Sequence, residues 1–372
     1  MLNCQSFYAY LESKGINFST GVPDSLLKQI CAYISDNGND IIAANEGAAI
    51  ALAAGYHIAT QKIPLVYMQN SGFGNIINPL TSLVDPEVYS IPMLLMIGWR
   101  GEPGVKDEPQ HRKQGRINEA LLKALEVPYE ILSNELSLAK GQIDKAFHYM
   151  KTQSAPFGLL IRKNTFESYQ FQSGKNWELP LKREKAIQLV LDHLDKEDII
   201  VSTTGKASRE VFEYRVAEKQ PHDADFLTVG CMGHASKIAL GIALQKPNRN
   251  VCCLDGDGAA IMHLGSLAII GDQQPKNYKH ILLNNGSHDS VGGQPSVGLR
   301  IDFPKIALSC NYVAAFVATT EAELNATLPQ LMEVEGPALL EIKIAKGARA
   351  DLGRPTKTPI ENKEALMKKL MA

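Results

Sequence analysis

The chain has 372 residues, with 38 Lys and Arg against 40 Asp and Glu and a formal net charge of −2. This near-neutral balance without a long basic run excludes the electrostatic footprint of a nucleic-acid-binding protein. No uncharged apolar run approaches the length of a membrane span, and no basic start with an apolar core opens the sequence. We therefore expect a protein that binds neither nucleic acid nor a membrane.

The six cysteines contain no C-x-x-C pair, and two of them are adjacent in an apolar run. This usage is typical of a reduced protein and predicts a cytoplasmic location. The length suggests about two domains, each large enough to bury its own core.

Short apolar runs alternate with helical patterns along the chain, and this alternation predicts parallel sheets that are covered by helices on both faces. The predicted fold class is therefore α/β, with two doubly wound domains. The predicted strands lie at Ile41 to Ala44, Leu65 to Gln69, Met93 to Ile97, Gly158 to Ile161, Ile199 to Ser202, Val251 to Leu254, Ile281 to Leu283 and Ala338 to Ile344.

In the first half, an Ala-rich helical run at 47–55 precedes the strand LVYMQ and the glycine turn SGFGN at 71–75. Glu46 stands between an apolar strand and that helix. Without further context it is an acidic residue at a helix N-terminus, where the macrodipole favours it.

A polar stretch with weak periodicity and several turn formers, from Lys163 to Arg183, separates the halves. It predicts a linker at 166–184 between one domain at 1–165 and another at 185–372.

The second half repeats the order of small-residue helix, strand VCCLD and glycine turn GDGAA. Asp257 and Asn285 are 28 positions apart, about one βαβ unit, so a crossover brings both to the same edge of neighbouring strands. Carboxylate and amide oxygens suit Mg²⁺ or Ca²⁺. A helix that begins near Ala259 would present free N–H groups to an anion. Two ordinary turns after strands are the alternative interpretation.

The spacing of Gly256-Asp257-Gly258 and Asn284-Asn285 resembles the cofactor motif of the thiamine diphosphate-dependent enzymes. The resemblance implies a pyrimidine-binding domain followed by a pyrophosphate-binding domain. It also implies that Asp257, the Asn285 side chain and the Ser287 carbonyl bind Mg²⁺, which in turn binds the diphosphate. Gly72, Gly256, Gly258 and Ala259 would contact the cofactor.

Three further cofactor contacts follow from the same resemblance. Glu46 resembles the catalytic glutamate that faces the aminopyrimidine ring. In TVGCMGHA, Gly230 would offer its carbonyl to that ring, and Met232 would support the bent cofactor. A methionine that fills a gap in the core is the alternative for Met232.

The chain has no room for the central third domain of the larger family members. Its segments GVPDS, NSGFGNIINPL, KDEPQH, NNGSHDSVGGQP and ARADLGRPT resemble members that decarboxylate 3-phosphonopyruvate to phosphonoacetaldehyde and CO₂ in phosphonate biosynthesis. Members that act on 3-sulfopyruvate are a looser match and stay open as an alternative, with other 2-oxo acids behind them.

The candidates for proton transfer are Asp24, His111 and His288, since histidine titrates near neutrality. Asp24 and His111 are preferred because both fall in segments of the pyrimidine-binding domain. A phosphonate needs cationic donors. The candidates for substrate binding are Arg100, Arg112, Lys113, His288, Arg349 and Arg354. The resemblance further implies a homo-oligomer with active sites between subunits.

Two other classes remain to be weighed. A nicotinamide-dependent dehydrogenase is disfavoured because Ile77 stands where the third small residue after Gly72 and Gly74 belongs. A non-catalytic subunit of the same fold is disfavoured because Glu46, Asp257 and Asn285 occur in one chain.

Overall fold

The computed structural model describes residues 1–173 and 177–371. The chain divides into two compact units: unit 1 comprises Met1–Gly174 and Ser290–Gln294, and unit 2 comprises Lys175–Asp289 and Pro295–Ala372. The predicted linker at 166–184 includes residues 174–176, which lie outside the described residues, so its limits stay a prediction.

Unit 1 contains a six-stranded parallel sheet in the order β2-β1-β3-β4-β6-β5. Its strands are β1 Ser19–Gly21, β2 Asp40–Ile42, β3 Leu65–Gln69, β4 Leu94–Gly98, β5 Tyr129–Ile131 and β6 Phe157–Ile161. Its helices are α1 Cys4–Ser13, α2 Lys28–Asn37, α3 Glu46–Thr60, α4 Phe73–Ser82, α5 Pro109–Ala124 and α6 Leu136–Gln153, with a 3₁₀ turn at Asn70–Gly72.

The inner strands β3, β4 and β6 of unit 1 are apolar, apart from Gln69 at the end of β3, because helices cover both faces of the sheet. Successive side chains of a strand point to opposite faces. Leu65 and Tyr67 therefore join the core cluster on one face, while Val66 and Met68 join the cluster on the other. The continuous apolar run of β3 is the pattern expected of a buried parallel strand.

Unit 2 repeats this architecture with the order β11-β12-β10-β9-β7-β8, again all parallel. Its strands are β7 Ile199–Ser202, β8 Asp225–Leu227, β9 Val251–Gly256, β10 Tyr278–Asn284, β11 Ala314–Ala318 and β12 Ala338–Lys343. Its helices are α7 Arg183–Asp192, α8 Lys206–Ala217, α9 Ala235–Gln245, α10 Asp257–Met262, α11 Ser266–Gln273, α12 Phe303–Ser309, α13 Glu321–Glu333 and α14 Pro359–Met371, with a 3₁₀ turn at Gly298–Arg300.

The predicted α/β fold with two parallel sheets is confirmed, and each of the eight predicted strands overlaps an observed one. Four further strands, β1, β5, β8 and β11, were not predicted. Across the described part of the chain, none of the helices combines the length and apolarity that crossing a membrane requires.

Candidate active site

Glu46 opens α3 in a buried niche of unit 1, with 5% of its surface exposed. The side-chain amide of Asn75, on α4, donates a hydrogen bond to Glu46 Oε2 at 2.6 Å. Gly72 lies against the same carboxyl: a Cβ placed on it would come within 2.7 Å of Oε1. The carboxyl group is therefore held through one oxygen, and the other oxygen faces a residue without a side chain.

Asp24 follows β1 and is completely buried. Its Oδ2 accepts a hydrogen bond from the backbone N–H of Leu26 at 3.0 Å, and its Oδ1 accepts from the Ser25 hydroxyl at 3.3 Å. The side-chain amide of Gln69, at the end of β3, also donates to Oδ1. Asp24 is thus fixed at the carboxyl edge of the sheet.

Arg100 and His111 meet at Asp107, which precedes α5. Arg100 forms a two-pronged ion pair with Asp107, with Nε to Oδ2 at 2.8 Å and Nη2 to Oδ1 at 2.5 Å. The Nδ1 atom of His111 lies 2.9 Å from Oδ1. Burial would raise the pKa of Asp107, but hydrogen bonds from Arg100 and His111 hold it far below its ordinary value. Asp24, Arg100, Asp107 and His111 therefore form one group of linked side chains, which we call the unit 1 cluster.

Arg112 and Lys113 follow His111 on α5, and both are exposed to solvent. Because successive helical residues are turned by about 100° from one another, neither shares the inward face that carries His111.

Asp257 and Asn285 lie where the sequence spacing predicts, at the ends of the adjacent parallel strands β9 and β10. Both are buried. Burial raises the pKa of Asp257 to about 6, although the Ser296 hydroxyl and the backbone N–H groups of Gly258 and Asn285 oppose that rise by hydrogen bonding to the carboxylate. The Asn285 side-chain oxygen accepts from the backbone N–H of Ser287 at 3.0 Å.

Further polar side chains hold the segments that carry Asp257 and Asn285. The Ser296 hydroxyl donates to Asp257 Oδ2, and Ser296 Oγ in turn accepts from the Gly298 N–H at 3.0 Å. Asn284 donates to the Gly298 carbonyl at 2.9 Å and to the buried carboxyl of Glu341, on β12, at 2.6 Å. The strands β9, β10 and β12 are thus tied together just beneath the Asp257 carboxylate.

Gly258, Met232 and His288 converge beside Asp257. A Cβ placed on Gly258 would lie 3.2 Å from the His288 ring and 3.4 Å from the Met232 methyl group. Burial alone lowers the pKa of His288 to about 4. Gly230 lies in the loop between β8 and α9, where Cys231 adopts φ 51° and Gly233 adopts φ 84°. This left-handed backbone is costly for Cys231 and gives the loop a sharply turned path.

The expected helix start near Ala259 is wrong by two residues. Helix α10 begins at Asp257 and spans six residues, and it follows Gly256 directly. Because Asp257 itself occupies the first turn, its carboxylate sits where the helix dipole favours a negative charge.

Of the two arginines of the C-terminal stretch, Arg349 pairs with carboxylates other than that of Asp257. Arg349 pairs with Glu184 at 2.9 Å and Asp351 at 3.1 Å, and also contacts Glu213. Arg354 is exposed.

The donor set around Asp257 fits a hard divalent cation. The buried carboxylate of Asp257 and the carboxamide of Asn285, at the ends of adjacent strands, offer oxygen ligands of the kind that such a cation prefers. Among the residues that the structure describes, no ion pair involves Asp257. A buried carboxylate without a counter-charge is unfavourable, and a bound cation would remove that cost.

Sequence reasoning missed the residues that hold the predicted ones in place. Asn75, Gln69, Asp107, Ser296 and Glu341 each bond directly to a predicted site residue or to its neighbour. Asn75 and Asp107 lie within segments that carried the resemblance, so position in those segments was the available signal. Glu341 had no such signal, since its partner is 57 residues away.

The family models place both units in one family. Residues 4–122 match the thiamine pyrophosphate enzyme, N-terminal TPP binding domain, and residues 203–342 match the thiamine pyrophosphate enzyme, C-terminal TPP binding domain. The first range contains the unit 1 cluster, and the second contains Asp257 and Asn285.

Individual relatives agree with the family models. The phosphonopyruvate decarboxylase of Streptomyces hygroscopicus is 34% identical over 97% of this chain and 92% of its own length. The sulfopyruvate decarboxylase of Methanosarcina acetivorans is 27% identical over 81% of this chain and 80% of its own. The sulfopyruvate decarboxylase subunit beta of Methanocaldococcus jannaschii is 35% identical over 35% of this chain and 66% of its own. This chain therefore belongs to the thiamine pyrophosphate enzymes and is a decarboxylase that uses thiamine diphosphate.

Proposed function

We propose that this protein decarboxylates 3-phosphonopyruvate to phosphonoacetaldehyde and CO₂, with thiamine diphosphate and Mg²⁺ as cofactors. The observation that carries the proposal is the 34% identity to a phosphonopyruvate decarboxylase over nearly the full length of both chains. Sulfopyruvate decarboxylase is the second candidate, because relatives with that name match at lower identity or over a smaller part of the chain.

The cation would be bound by Asp257, Asn285 and the Ser287 carbonyl, with Ser296 orienting the carboxylate. Gly256, Gly258 and Ala259 would lie against the diphosphate, since the glycines allow the backbone to approach closely. Gly230 and Met232 would contact the organic part of the cofactor. When bound, thiamine diphosphate supplies the electron sink that no amino-acid side chain provides for the pair left by departing CO₂.

Glu46 would exchange a proton with the cofactor through Oε1. The hydrogen bond from Asn75 occupies Oε2, so Oε1 is the oxygen that remains available. A Cβ on Gly72 would clash with the Glu46 side chain, coming within 2.7 Å of Oε1, so a glycine at this position lets the carboxyl group lie where it does. The proposed cofactor contact of Gly72 rests on the family resemblance.

Asp24 and His111 would carry protons to and from the substrate. Arg100 and Arg349 are less suited to bind the substrate anion, because carboxylates already neutralise each guanidinium. Among the residues that the structure describes, no ion pair involves Arg112 or Lys113, but both lie on a different face of α5 from His111. His288 and Arg354 remain further candidates.

Comparing three substrates tests the assignment. With thiamine diphosphate and Mg²⁺, we expect kcat/KM for 3-phosphonopyruvate to exceed the values for 3-sulfopyruvate and pyruvate by at least about a hundredfold, since charged-group recognition is worth several kcal/mol. A preference for sulfopyruvate would establish the second candidate. Equal values for all three would refute both.

We further propose a homo-oligomer in which unit 1 of one subunit and unit 2 of another form each active site. The outer face of α3 supports an interface, because Leu52 is 37% exposed and Ile58 is 70% exposed beside exposed small residues. Exposed apolar side chains on a helix of small residues suit close helix packing. The relative named subunit beta matches only part of this chain, which is consistent with the two units acting from separate polypeptides.

Mixing two inactive variants tests this arrangement. Glu46→Gln disables unit 1, and Asp257→Asn disables unit 2. After co-refolding or co-expression, a site between subunits regains an intact pair in hybrid dimers, and activity should return to about a quarter of the wild-type level for random dimer mixing. No recovery in confirmed hybrids would place each site within one chain.

A further inference from the structure

Asp107 is the point at which five hydrogen bonds of unit 1 meet. Besides Arg100 and His111, its Oδ1 accepts from the backbone N–H of Glu108 at 2.7 Å, and its Oδ2 accepts from the backbone N–H of Gly101 at 2.8 Å. Its side chain is 12% exposed. The proposed reaction assigns this residue no part.

The ionised state of Asp107 decides which nitrogen of His111 carries the hydrogen. A carboxylate with a strongly lowered pKa has no proton to donate, so the 2.9 Å contact requires His111 Nδ1 to be the donor. In the neutral ring the lone pair then lies on Nε2, the nitrogen that points away from Asp107.

The same carboxylate also fixes Arg100. With Nε and Nη2 bound to Asp107, Nη1 donates to the Ser25 hydroxyl at 2.7 Å. That hydroxyl donates in turn to Asp24 Oδ1 at 3.3 Å. A continuous chain of hydrogen bonds therefore joins His111 to Asp24, the two residues proposed to transfer protons.

We propose that Asp107 is a positioning residue, which holds His111 in the Nδ1–H form so that Nε2 can exchange the proton of the decarboxylation, and which keeps Arg100 locked beside Asp24. This inference rests on the proposed function, since it assumes that His111 serves that reaction. The charged groups that act on His111 are Asp107, Arg100 and Asp24. Burial and the positive charge of Arg100 lower the pKa of His111. Asp107, and to a smaller extent Asp24, raise it.

The first test replaces the carboxylate by an amide. In Asp107→Asn, the new NH₂ group can donate to Nδ1 and favour the wrong tautomer, so kcat should fall by about a hundredfold or more while KM changes by less than about threefold. The acidic limb of the kcat/KM profile should move to lower pH, because the anion that raises the pKa of His111 is gone. Asp107→Glu should recover part of kcat.

A matched control is Asp144→Asn. Like Asp107, Asp144 has two side-chain partners, Lys14 at 2.5 Å and Tyr10 at 2.7 Å, but it lies on the surface of α6. It should leave kcat and the pH profile unchanged. Turnover of Asp107→Asn within threefold of wild type, with an unmoved pH profile, would overturn the proposal.

The second test needs neither substrate nor a stable Asp107 variant. The ¹⁵N chemical shifts of the His111 ring in the full-length wild-type protein, assigned by their loss in His111→Gln, should show a protonated Nδ1 and an unprotonated Nε2 above the pKa. A protonated Nε2 would overturn the inference. Failure of the wild-type protein to decarboxylate phosphonopyruvate would instead contradict the proposed function and leave this measurement interpretable.

Discussion

Asn75 donates its side-chain hydrogen bond to Glu46 at 2.6 Å and so joins the first turn of α4 to the first residue of α3. The contact explains why a buried glutamate is tolerated at this helix start: one oxygen is satisfied and the N-terminal dipole favours the charge. Oε2 thus accepts the structural hydrogen bond, and Oε1 remains for proton exchange with the cofactor.

Glu46→Gln should keep the fold and bind thiamine diphosphate, since the amide preserves shape and can still accept from Asn75. Exchange of the cofactor C2 proton, followed by NMR in D₂O, should slow by at least about a hundredfold because the exchangeable carboxyl proton is lost. Asn75→Ala should slow exchange less. Unchanged exchange in Glu46→Gln would remove Glu46 from the mechanism.

Asp257→Ala should weaken binding of Mg²⁺ and of thiamine diphosphate by at least about tenfold, because it removes the anionic ligand of the proposed cation site. Ser296→Ala, which removes only the orienting hydroxyl, should have a smaller effect in the same direction. Asp302→Asn is the control, since Asp302 caps α12 on the surface. Calorimetric titration measures both affinities. If Asp257→Ala bound Mg²⁺ and thiamine diphosphate as tightly as wild type, the proposed cation site would be wrong.

Glu210→Ala should destabilise unit 2 by about 2 kcal/mol, because it leaves the buried guanidinium of Arg183 with Asp289, at 3.4 Å, as its remaining carboxylate partner. The buried pair is two-pronged, with distances of 2.7 and 2.9 Å. Glu335→Ala removes one partner of an exposed pair with Lys276 and should cost less than about 0.5 kcal/mol. Urea unfolding curves measure both, and equal small losses would show that the buried pair contributes little.

Asp40 should make the stability of unit 1 depend on pH. Burial raises its pKa to about 6, although hydrogen bonds from Ser35 and Tyr67 oppose this. The folded form therefore binds a proton more tightly than the unfolded chain, so its contribution is full below about pH 4 and is lost as the pH rises through 6. Relative to Asp40→Asn, wild type should lose about 2 kcal/mol between pH 4 and pH 7. If the free energies of unfolding of wild type and Asp40→Asn changed in parallel between pH 4 and pH 7, this prediction would be contradicted.

Much of the fold could be predicted because the central strands are long, apolar and buried on both faces. The strand β3 and its neighbour β4 could be recognised from composition alone. The strands β5, β8 and β11 lie at sheet edges, and β1 has three residues. The strands β1, β5 and β8 have three residues each, too few for the apolar run that marks a buried strand. The strand β11 is apolar, but it lies at a sheet edge and most of its residues are only partly buried or exposed.

The site could be predicted in part for a related reason. Asp257 and Asn285 lie at the ends of strands that are adjacent both in sequence and in the sheet, so spacing brings them together. Glu341 reaches Asn284 from β12, and Ser25 reaches Arg100 across 75 positions. These contacts depend on three-dimensional packing, and no local pattern encodes them.

The most direct measurement of the central claim is ³¹P NMR of 3-phosphonopyruvate incubated with the purified protein. With thiamine diphosphate and Mg²⁺ present, the substrate signal should be replaced by that of phosphonoacetaldehyde, and the conversion should stop when either cofactor is removed. Persistence of the substrate signal in the complete mixture, or conversion that does not depend on thiamine diphosphate, would contradict the account.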